Sequence, residues 1–352
     1  MMYREIGQYK TSYAADQQIF SLSQDRWVIV VLLLAAIFLV PFIANDYWFV
    51  AILIPCLSLA LAALGLNILT GYCGQLSLGT AAFMSIGGFA TYNLVMRLPE
   101  IPFPISILLA GIIAGLVGVL FGLPSLRIKG FYLVVSTLAA HFFVQWLFDA
   151  IKWFKRNNPQ GEIKPPPFKI FDFVFNTPVS QYLLVLGFVI VLTILAKNIM
   201  RSTTGRRMMA VRDMEVAAEV MGIPIARTKL LAFAISSFYC GVAGALYVYC
   251  YLQLLDTKTY SLELAFASVF MIVVGGLGTI MGSFIGAAFI FLLPIWMNST
   301  FGKYGIDPSQ IQNFSKMIFG ALVIFLLIVE PNGLARLWMR AKDKLRKWPF
   351  PY

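Results

Sequence analysis

The stretch MRSTTGRRMMAVRDMEVAAEVMGIPIARTK, residues 200–229, is a charged island between two long apolar runs. It mixes arginine and lysine with aspartate and glutamate, whereas the runs on both sides carry almost no charge. Charged side chains stay in water, and apolar runs of ~20 residues are long enough to cross a membrane as helices. The stretch therefore predicts an all-α, polytopic membrane protein in which residues 200–229 form a loop on one membrane face.

The composition of the whole chain excludes a soluble globular protein. Of the 352 residues, 60% are hydrophobic and only 12% are charged, and a soluble fold of this size cannot bury so much apolar surface. The formal net charge is +11, but the lysines and arginines cluster beside apolar runs, as is typical of cytoplasmic loops. We therefore expect membrane lipids around the chain and no nucleic-acid partner.

The apolar runs predict about ten transmembrane helices. The third and eighth are short and interrupted by glycine, which is typical of broken helices beside a transport pathway. The predicted spans are approximately Trp27–Ala44, Trp48–Leu69, Thr80–Met96, Phe103–Leu123, Phe131–Trp153, Gln181–Lys197, Leu230–Tyr251, Glu263–Leu277, Gly282–Ser299 and Phe314–Val329.

An even number of spans places both chain ends on the same side of the membrane. The tail is rich in lysine and arginine, which marks that side as cytoplasmic. The predicted segments are a cytoplasmic N-terminal segment 1–26, a transmembrane domain 27–330 with a cytoplasmic loop 200–229 and a periplasmic loop 154–180, and a basic cytoplasmic tail 331–352.

The predicted periplasmic loop conflicts with its own charge, since it carries several basic residues. Two explanations are open. Either one span is miscounted, or Lys155 and Arg156 form a docking surface for another protein.

Within the charged island, Met208–Met221 predicts one short helix that is separate from both neighbouring spans. Such a helix on the membrane surface can transmit force from a soluble partner to the spans. The alternative is an ordinary loop that is positive for topological reasons. The residues expected to contact a partner are Arg212, Asp213, Glu215 and Glu219 as a polar rim, Ala217 and Ala218 as small residues that allow close approach, and Gly222.

A second informative stretch, GLNILTGYCGQLSLGTAAFMSIGG at residues 65–88, combines glycines with polar side chains at the end of a span. The glycines argue against a continuous helix, and irregular backbone at membrane depth is tolerated only where protein or water satisfies it. A re-entrant segment beside a translocation path and a plain loop are both open. The candidate path residues are Asn67, Gln75, Ser77 and Thr80, with Thr137 and His141 from the fifth span.

Glycines also recur at the spacing that lets membrane helices approach closely. The pairs are Gly111 with Gly115, Gly118 with Gly122, Gly278 with Gly282, and Gly282 with Gly286. For most of these glycines, tight helix packing is the favoured interpretation. For His141, likewise, a hydrogen bond between helices is favoured over catalysis.

Motifs of the common enzyme classes are absent from the sequence. It contains no phosphate-binding GxxxxGKS/T, no GxSxG and no HExxH. We therefore expect this chain to have no ATPase site, no catalytic residues, no metal site and no cofactor of its own.

Six stretches of the chain are distinctive when they are taken together and in order. They are GLNILTGYCGQLSLGTAAF at 65–83, SLRIKGFYLVVSTL at 125–138, GRRMMAVRDMEVAAEVMGI at 205–223, RTKLLAFAISSFYCGVAGAL at 227–246, VVGGLGTIMGSFIGAA at 273–288 and PNGL at 331–334. With these stretches the chain resembles the LivM-type permease subunit of branched-chain amino-acid ABC importers.

The resemblance implies an ABC importer permease architecture with broken or re-entrant helices, in a bacterial inner membrane. It implies a heterodimer with a second homologous permease subunit and two cytoplasmic ATPase subunits, which bind ATP and magnesium. A periplasmic substrate-binding protein would deliver the solute and would contact Lys155 and Arg156. The solute would be a branched-chain or other hydrophobic amino acid. Related importers for urea, short amides or other small solutes, and less so a stand-alone channel or carrier, are the alternatives.

The resemblance also makes the predicted helix of the charged island a coupling helix, which seats in a groove of an ATPase. Glu215, Ala217, Ala218 and Gly222 give a loose version of the EAA-type loop of such permeases, in which Val216 interrupts the Glu-Ala-Ala order.

Overall fold

The protein is almost entirely helical in a computed structural model. The structure describes residues 12, 23–128, 130–151, 153–154, 169–170, 173–174, 177–301 and 333–347, with single positions between 314 and 328. The described helices are α1 (Ser23–Leu34, continued through Ala35–Leu39 and Val40–Ile43), α2 (Trp48–Tyr72), α3 (Thr80–Arg97), α4 (Phe103–Gly122), α5 (Phe131–Ala150), α6 (Pro178–Arg201), α7 (Thr203–Asp213), α8 (Glu215–Val220), α9 (Ile225–Leu246), α10 (Leu262–Gly275), α11 (Ile280–Phe301) and α12 (Leu334–Lys347). Two short antiparallel strands, β1 (Lys169–Ile170) and β2 (Phe173–Val174), pair with each other.

Seven helical segments of the described part are long and apolar enough to cross a membrane. They are Trp48–Tyr72, Phe103–Leu126, Phe131–Ala150, Pro178–Arg201, Ile225–Leu252, Thr257–Gly275 and Ile280–Thr300, and each overlaps one predicted span. α3 also coincides with a predicted span, and the apolar part of α1, Val30–Ile43, is shorter. The tenth predicted span lies largely outside the described residues, so the count of about ten is not confirmed.

α9 is the central helix of the described bundle. α2, α3 and α4 pack around it, and 72% of the apolar part of the segment Ile225–Leu252 is buried inside the described bundle. The predicted glycine pairs of α4 face it: a Cβ on Gly111 would lie 2.7 Å from Val242, and one on Gly122 would lie 2.9 Å from the Phe233 ring. Tight packing is therefore confirmed as the role of the α4 glycines.

The α10–α11 pair uses the same device, with one correction to the sequence prediction. A Cβ on Gly282 would lie 2.7 Å from the Gly275 carbonyl oxygen, and one on Gly286 would overlap the backbone of Met271. Gly278, by contrast, is not in a helix. It has a φ of +73° in the turn between α10 and α11, where a residue without a side chain is favoured.

The predicted third and eighth spans are continuous helices, α3 and α10, rather than broken ones. The irregular backbone lies beside them, in residues 74–79 before α3 and in residues 276–279 after α10. Gly74 and Gly278 do lie where the helices are interrupted, whereas Gly65 and Gly87, which the sequence also predicts to disfavour a continuous helix, lie inside α2 and α3.

The predicted helix Met208–Met221 is wrong as a single element. Met214 has an extended backbone, with a φ of −152° and a ψ of 99°, and separates α7 from α8. α8 ends at Val220. Gly222, with a φ of +78°, and the bond from the Ile223 N–H to the Ala218 carbonyl form the left-handed cap that follows it. The residue Gly222 thus has a structural role in addition to its predicted one.

The contacts between connecting segments show which of them lie together at the same end of the bundle. We call one of the two ends the coupling end: it holds Arg212 beside Gly71, and Gly333 packed on Gly276. At the other end Arg97 lies over the Trp153 ring at 3.6 Å. Assignment of the coupling end to the cytoplasm stays a prediction.

Candidate functional site

The coupling end is organised around Arg212, the penultimate residue of α7. Its Nη1 donates a hydrogen bond of 2.9 Å to the carbonyl oxygen of Gly71, at the end of α2. Its Nε and Nη2 both lie 2.8 Å from Oδ1 of Asp213, which is itself largely exposed. The guanidinium therefore joins the charged island to the point where α2 stops being helical.

Asn67 joins that same point to the turn between α10 and α11. Its Oδ1 accepts a bond of 2.8 Å from the Gly278 N–H, and its Nδ2 donates to the Thr279 carbonyl and to Oγ of Ser283. Asn67 is fully buried, and its amide satisfies backbone groups that the turn leaves without helical partners. The candidate path residue thus holds the last part of α2 to the irregular turn after α10.

A nearly buried ion pair connects α8 to α9. Lys229 Nζ lies 2.8 Å from Oε1 of Glu215, and their side chains are 5% and 26% exposed. A cavity of about 210 Å³ adjoins the pair and reaches Gln75 and Arg212. Charges shielded from water in this way interact more strongly than surface pairs do, and separating them is costly.

The irregular stretch before α3 is mostly buried, and side chains satisfy its backbone. The Leu78 N–H donates to Oγ1 of Thr137, and the Gly79 N–H donates to Oγ of Ser77. Gln75 and Thr80 are more than nine-tenths buried, yet their Oε1 and Oγ1 atoms have no hydrogen-bond partner among the described residues. Protein thus supports irregular backbone here, as the re-entrant interpretation requires.

A polar stripe runs along α5 at four-residue spacing. Thr137 contacts the stretch before α3, Gln145 donates to the Tyr260 carbonyl at 2.8 Å, and Asp149 accepts from Thr257. His141 lies in the middle of this stripe and is fully buried, and neither of its ring nitrogens has a hydrogen-bond partner in the described part of the chain. The expected interhelical bond of His141 is therefore not seen.

The surface that the charged island offers to a partner is apolar at its centre. Met214, Val216, Val220 and Met221 are between 69% and 83% exposed, and we call these four residues the coupling ridge. Ala217 and Glu219 are also exposed. Ala218 is instead fully buried inside the chain, which corrects the expectation that it offers a small exposed contact.

Two of the predicted site residues lie outside the described part. Lys155 and Arg156, the docking candidates, fall in the range 155–168 that the structure does not describe, so their role stays a prediction. The sequence reasoning missed Lys229 as a site residue. The signal was present, because Lys229 stands at the start of an apolar run with Glu215 on the preceding short helix.

A bundle of membrane-spanning helices, with a charged helical loop fixed beneath two irregular glycine stretches, defines a multi-pass membrane transport protein. The chain belongs to the family described as branched-chain amino acid transport system / permease component, which matches residues 48–327. The family resemblance seen in the sequence is thereby confirmed.

Proteins similar to this chain are named as permeases for different substrates. The chain is 26% identical to the high-affinity branched-chain amino acid permease protein LivM of Escherichia coli, over 77% of this chain and 66% of that protein. It is 29% identical to the autoinducer 2 import permease LsrC of an Enterobacter strain, over 55% and 59% of the two chains. It is 24% identical to the fructose import permease FruG of Bifidobacterium longum, over 72% and 75%. No solved structure shows a significant match.

Proposed function

We propose that this chain is the transmembrane permease subunit of an ATP-driven ABC importer for branched-chain or other hydrophobic amino acids. The observation that carries the proposal is the coupling ridge: large apolar side chains, exposed on a short charged helix pair. Exposing such an apolar ridge to water is unfavourable, and burial in a groove of a soluble partner would remove it from water. The partner we propose is an ATPase subunit, which binds the ATP and magnesium that this chain has no motif to hold.

The contacts around the ridge supply a mechanism. α8 is tied to the central helix through Glu215 and Lys229, and α7 is tied to the end of α2 through Arg212. When two ATPases close on ATP, the helix pair moves as a rigid body, and both ties transmit the displacement into the bundle. The irregular stretches beside Gly71 and Gly278 are then the parts that change shape to open the path.

The candidate path favours a solute without net charge. Gln75, Ser77, Thr80 and Thr137 are neutral polar residues gathered at the start of α3 and on α5. A zwitterionic amino acid suits such a lining, and so does a sugar, for which the relatives named as fructose and ribose permeases are precedents. The match to the LivM relatives covers 77% of this chain, against 72% for the fructose permease and 46% for the ribose permease, and the order of these matches favours the amino acid.

The assembly we propose contains a second homologous permease, two ATPases and a periplasmic binding protein in a bacterial inner membrane, with both termini of this chain cytoplasmic. The test is reconstitution of the complex in liposomes with its binding protein. Leucine should stimulate ATP hydrolysis and accumulate in the vesicles, whereas ribose and fructose should not. If only a sugar stimulates ATP hydrolysis, the proposed amino-acid substrate is wrong. If the solute accumulates without ATP, the proposal of an ATP-driven importer is wrong.

The orientation has its own test. A cysteine replacing Thr204, on α7, should resist an impermeant thiol reagent added to intact cells and react after permeabilisation. A cysteine replacing Asn157, in the predicted periplasmic loop, should react from outside. The reverse pattern would overturn the proposed orientation.

A further inference from the structure

The last described helix, α12, has the sequence LARLWMRAKDKLRK at residues 334–347. Its apolar residues recur at three- and four-residue spacing and fall on one side of the helix: Leu334, Leu337, Trp338, Ala341 and Leu345. Six basic residues and one acidic residue give it a formal charge of +5. With 14 residues it is too short to cross a membrane, which takes about 20.

Among the side chains that the structure describes in α12, those at its beginning are packed against the bundle. Gly333 has no space for a side chain, since a Cβ there would lie 2.5 Å from the backbone of Gly276, and Ala335 is buried. Farther along, Leu337 is 39% exposed and Trp338 is 57% exposed. Two residues of the apolar side, Leu337 and Trp338, are therefore left exposed by the described part of the chain.

We propose that α12 is an interfacial helix that lies on an anionic lipid leaflet. The apolar side with Trp338 suits the boundary between headgroups and acyl chains, and the lysines and arginines suit the negative surface of a leaflet. A protein groove would account for the apolar side but not for a charge of +5 on so short a helix. A positive charge alone would follow from topology, but it would not arrange the apolar residues on one side.

The attachment of α12 gives lipid contact a structural consequence. Gly333 packs on Gly276, and the turn that follows Gly276 is held by Asn67 through the Gly278 N–H. The depth of α12 on the leaflet is therefore linked to the same irregular stretches that Arg212 contacts. Lipid composition would act on the permease from this side, independently of any ATPase.

Spin labels on the full-length chain in lipid nanodiscs test the proposal without requiring transport. After replacement of the four native cysteines, one label is placed at Ala341→Cys on the apolar side and another at Arg336→Cys on the polar side. In nanodiscs of phosphatidylcholine with phosphatidylglycerol, the first should be accessible to oxygen and the second to a water-soluble nickel chelate. In phosphatidylcholine alone, the Ala341→Cys label should lose oxygen access.

Charge variants supply matched controls. Lys342→Gln with Lys344→Gln should weaken anionic-lipid association by about fivefold for each charge removed, and Asp343→Asn should strengthen it by a similar factor. A label at Ala341→Cys that responds identically in both lipids would overturn the proposal. Shielding of that label from oxygen and nickel alike would also overturn it, in favour of a protein partner on this side. Neither result bears on whether the complex imports amino acids.

Discussion

The guanidinium of Arg212 donates a hydrogen bond of 2.9 Å to the carbonyl oxygen of Gly71, across 141 residues of sequence. This bond joins the end of α7 to the last turn of the membrane-spanning helix α2. Gly71 itself has no space for a side chain, because a Cβ there would overlap the Asn67 amide and the Gly278 N–H. The coupling end is thus a closely packed crossing of three segments, and it explains why movement of α7 would reach the bundle.

Replacing Arg212 by glutamine tests this link. The variant should lose about 1 kcal/mol of unfolding free energy, a modest value because the side chain is partly exposed and hydrogen bonds to charged groups are worth a few kcal/mol at most. Uptake should fall further than stability does, since the tie to α2 is lost. Arg207→Gln, on the exposed side of α7, is the control for thermal stability and should leave it unchanged. Equal unfolding temperatures for both variants would contradict the assigned role of Arg212.

Breaking the Lys229–Glu215 pair should lower the free energy of unfolding far more than breaking the more exposed Arg212–Asp213 pair does. Glu215→Gln leaves the Lys229 charge buried without its partner, which we expect to cost on the order of 3 kcal/mol. Asp213→Asn, which removes an exposed partner of Arg212, should cost at most about 1 kcal/mol. Chemical denaturation of the purified chain measures both. If Lys229→Met added to Glu215→Gln restores much of the loss, burial of an unpaired charge is the cause; simple additivity would refute it.

Adjacent alanines on α8 should respond differently to tryptophan. Ala217→Trp adds bulk to the exposed side, so the permease should remain folded in the membrane while the ATPases no longer co-purify and uptake is lost. Losses above about 2 kcal/mol are common at the centre of an interface. Ala218→Trp adds the same bulk to a fully buried position, so it should reduce the amount of folded permease.

The control for this pair is Ala217→Ser, which keeps the side chain small and should behave as the unmodified chain. Normal transport and normal ATPase retention in Ala217→Trp would show that α8 is an ordinary loop helix and that the coupling assignment fails.

Two glycine-to-alanine variants separate close packing from helix propensity. Gly71→Ala should lower the unfolding free energy by roughly 1–3 kcal/mol, because the new methyl group meets Asn67 and the Gly278 backbone. Gly187→Ala, in α6, meets nothing within 4 Å and should stabilise the helix by up to about 1 kcal/mol. Thermal unfolding in detergent measures both, and a stabilising Gly71→Ala would show that the crossing is looser than described.

The path assignment is tested at Gln75. Its Oε1 is buried without a partner among the described residues, so Gln75→Ala should not cost a hydrogen bond that holds the fold. We expect reduced uptake with normal expression and normal basal ATP hydrolysis. Leu76→Ala, the exposed neighbour, should leave uptake unchanged. Loss of expression in Gln75→Ala would favour a purely structural role.

Much of the helical arrangement follows from local sequence properties. The apolar runs predicted the seven membrane-crossing segments of the described part, and glycine spacing predicted the packing face of α4. The break at Met214 could not be predicted in this way, because methionine favours helix and residues 206–221 contain neither glycine nor proline. The burial of Ala218 could not be predicted either. A small residue in the sequence is compatible both with a contact to a partner and with burial inside its own chain.

The sequence by itself therefore determined the membrane-spanning character, the family and the approximate positions of the long apolar helices, since these depend on hydrophobicity and conformational preference summed over neighbouring residues. Only the tertiary structure decided that Arg212 meets Gly71, that Asn67 holds the turn at Gly278, and that Glu215 pairs with Lys229. Each of these contacts joins helices that packing alone brings together. Their partners are buried polar groups, which must be satisfied wherever the packed helices leave them.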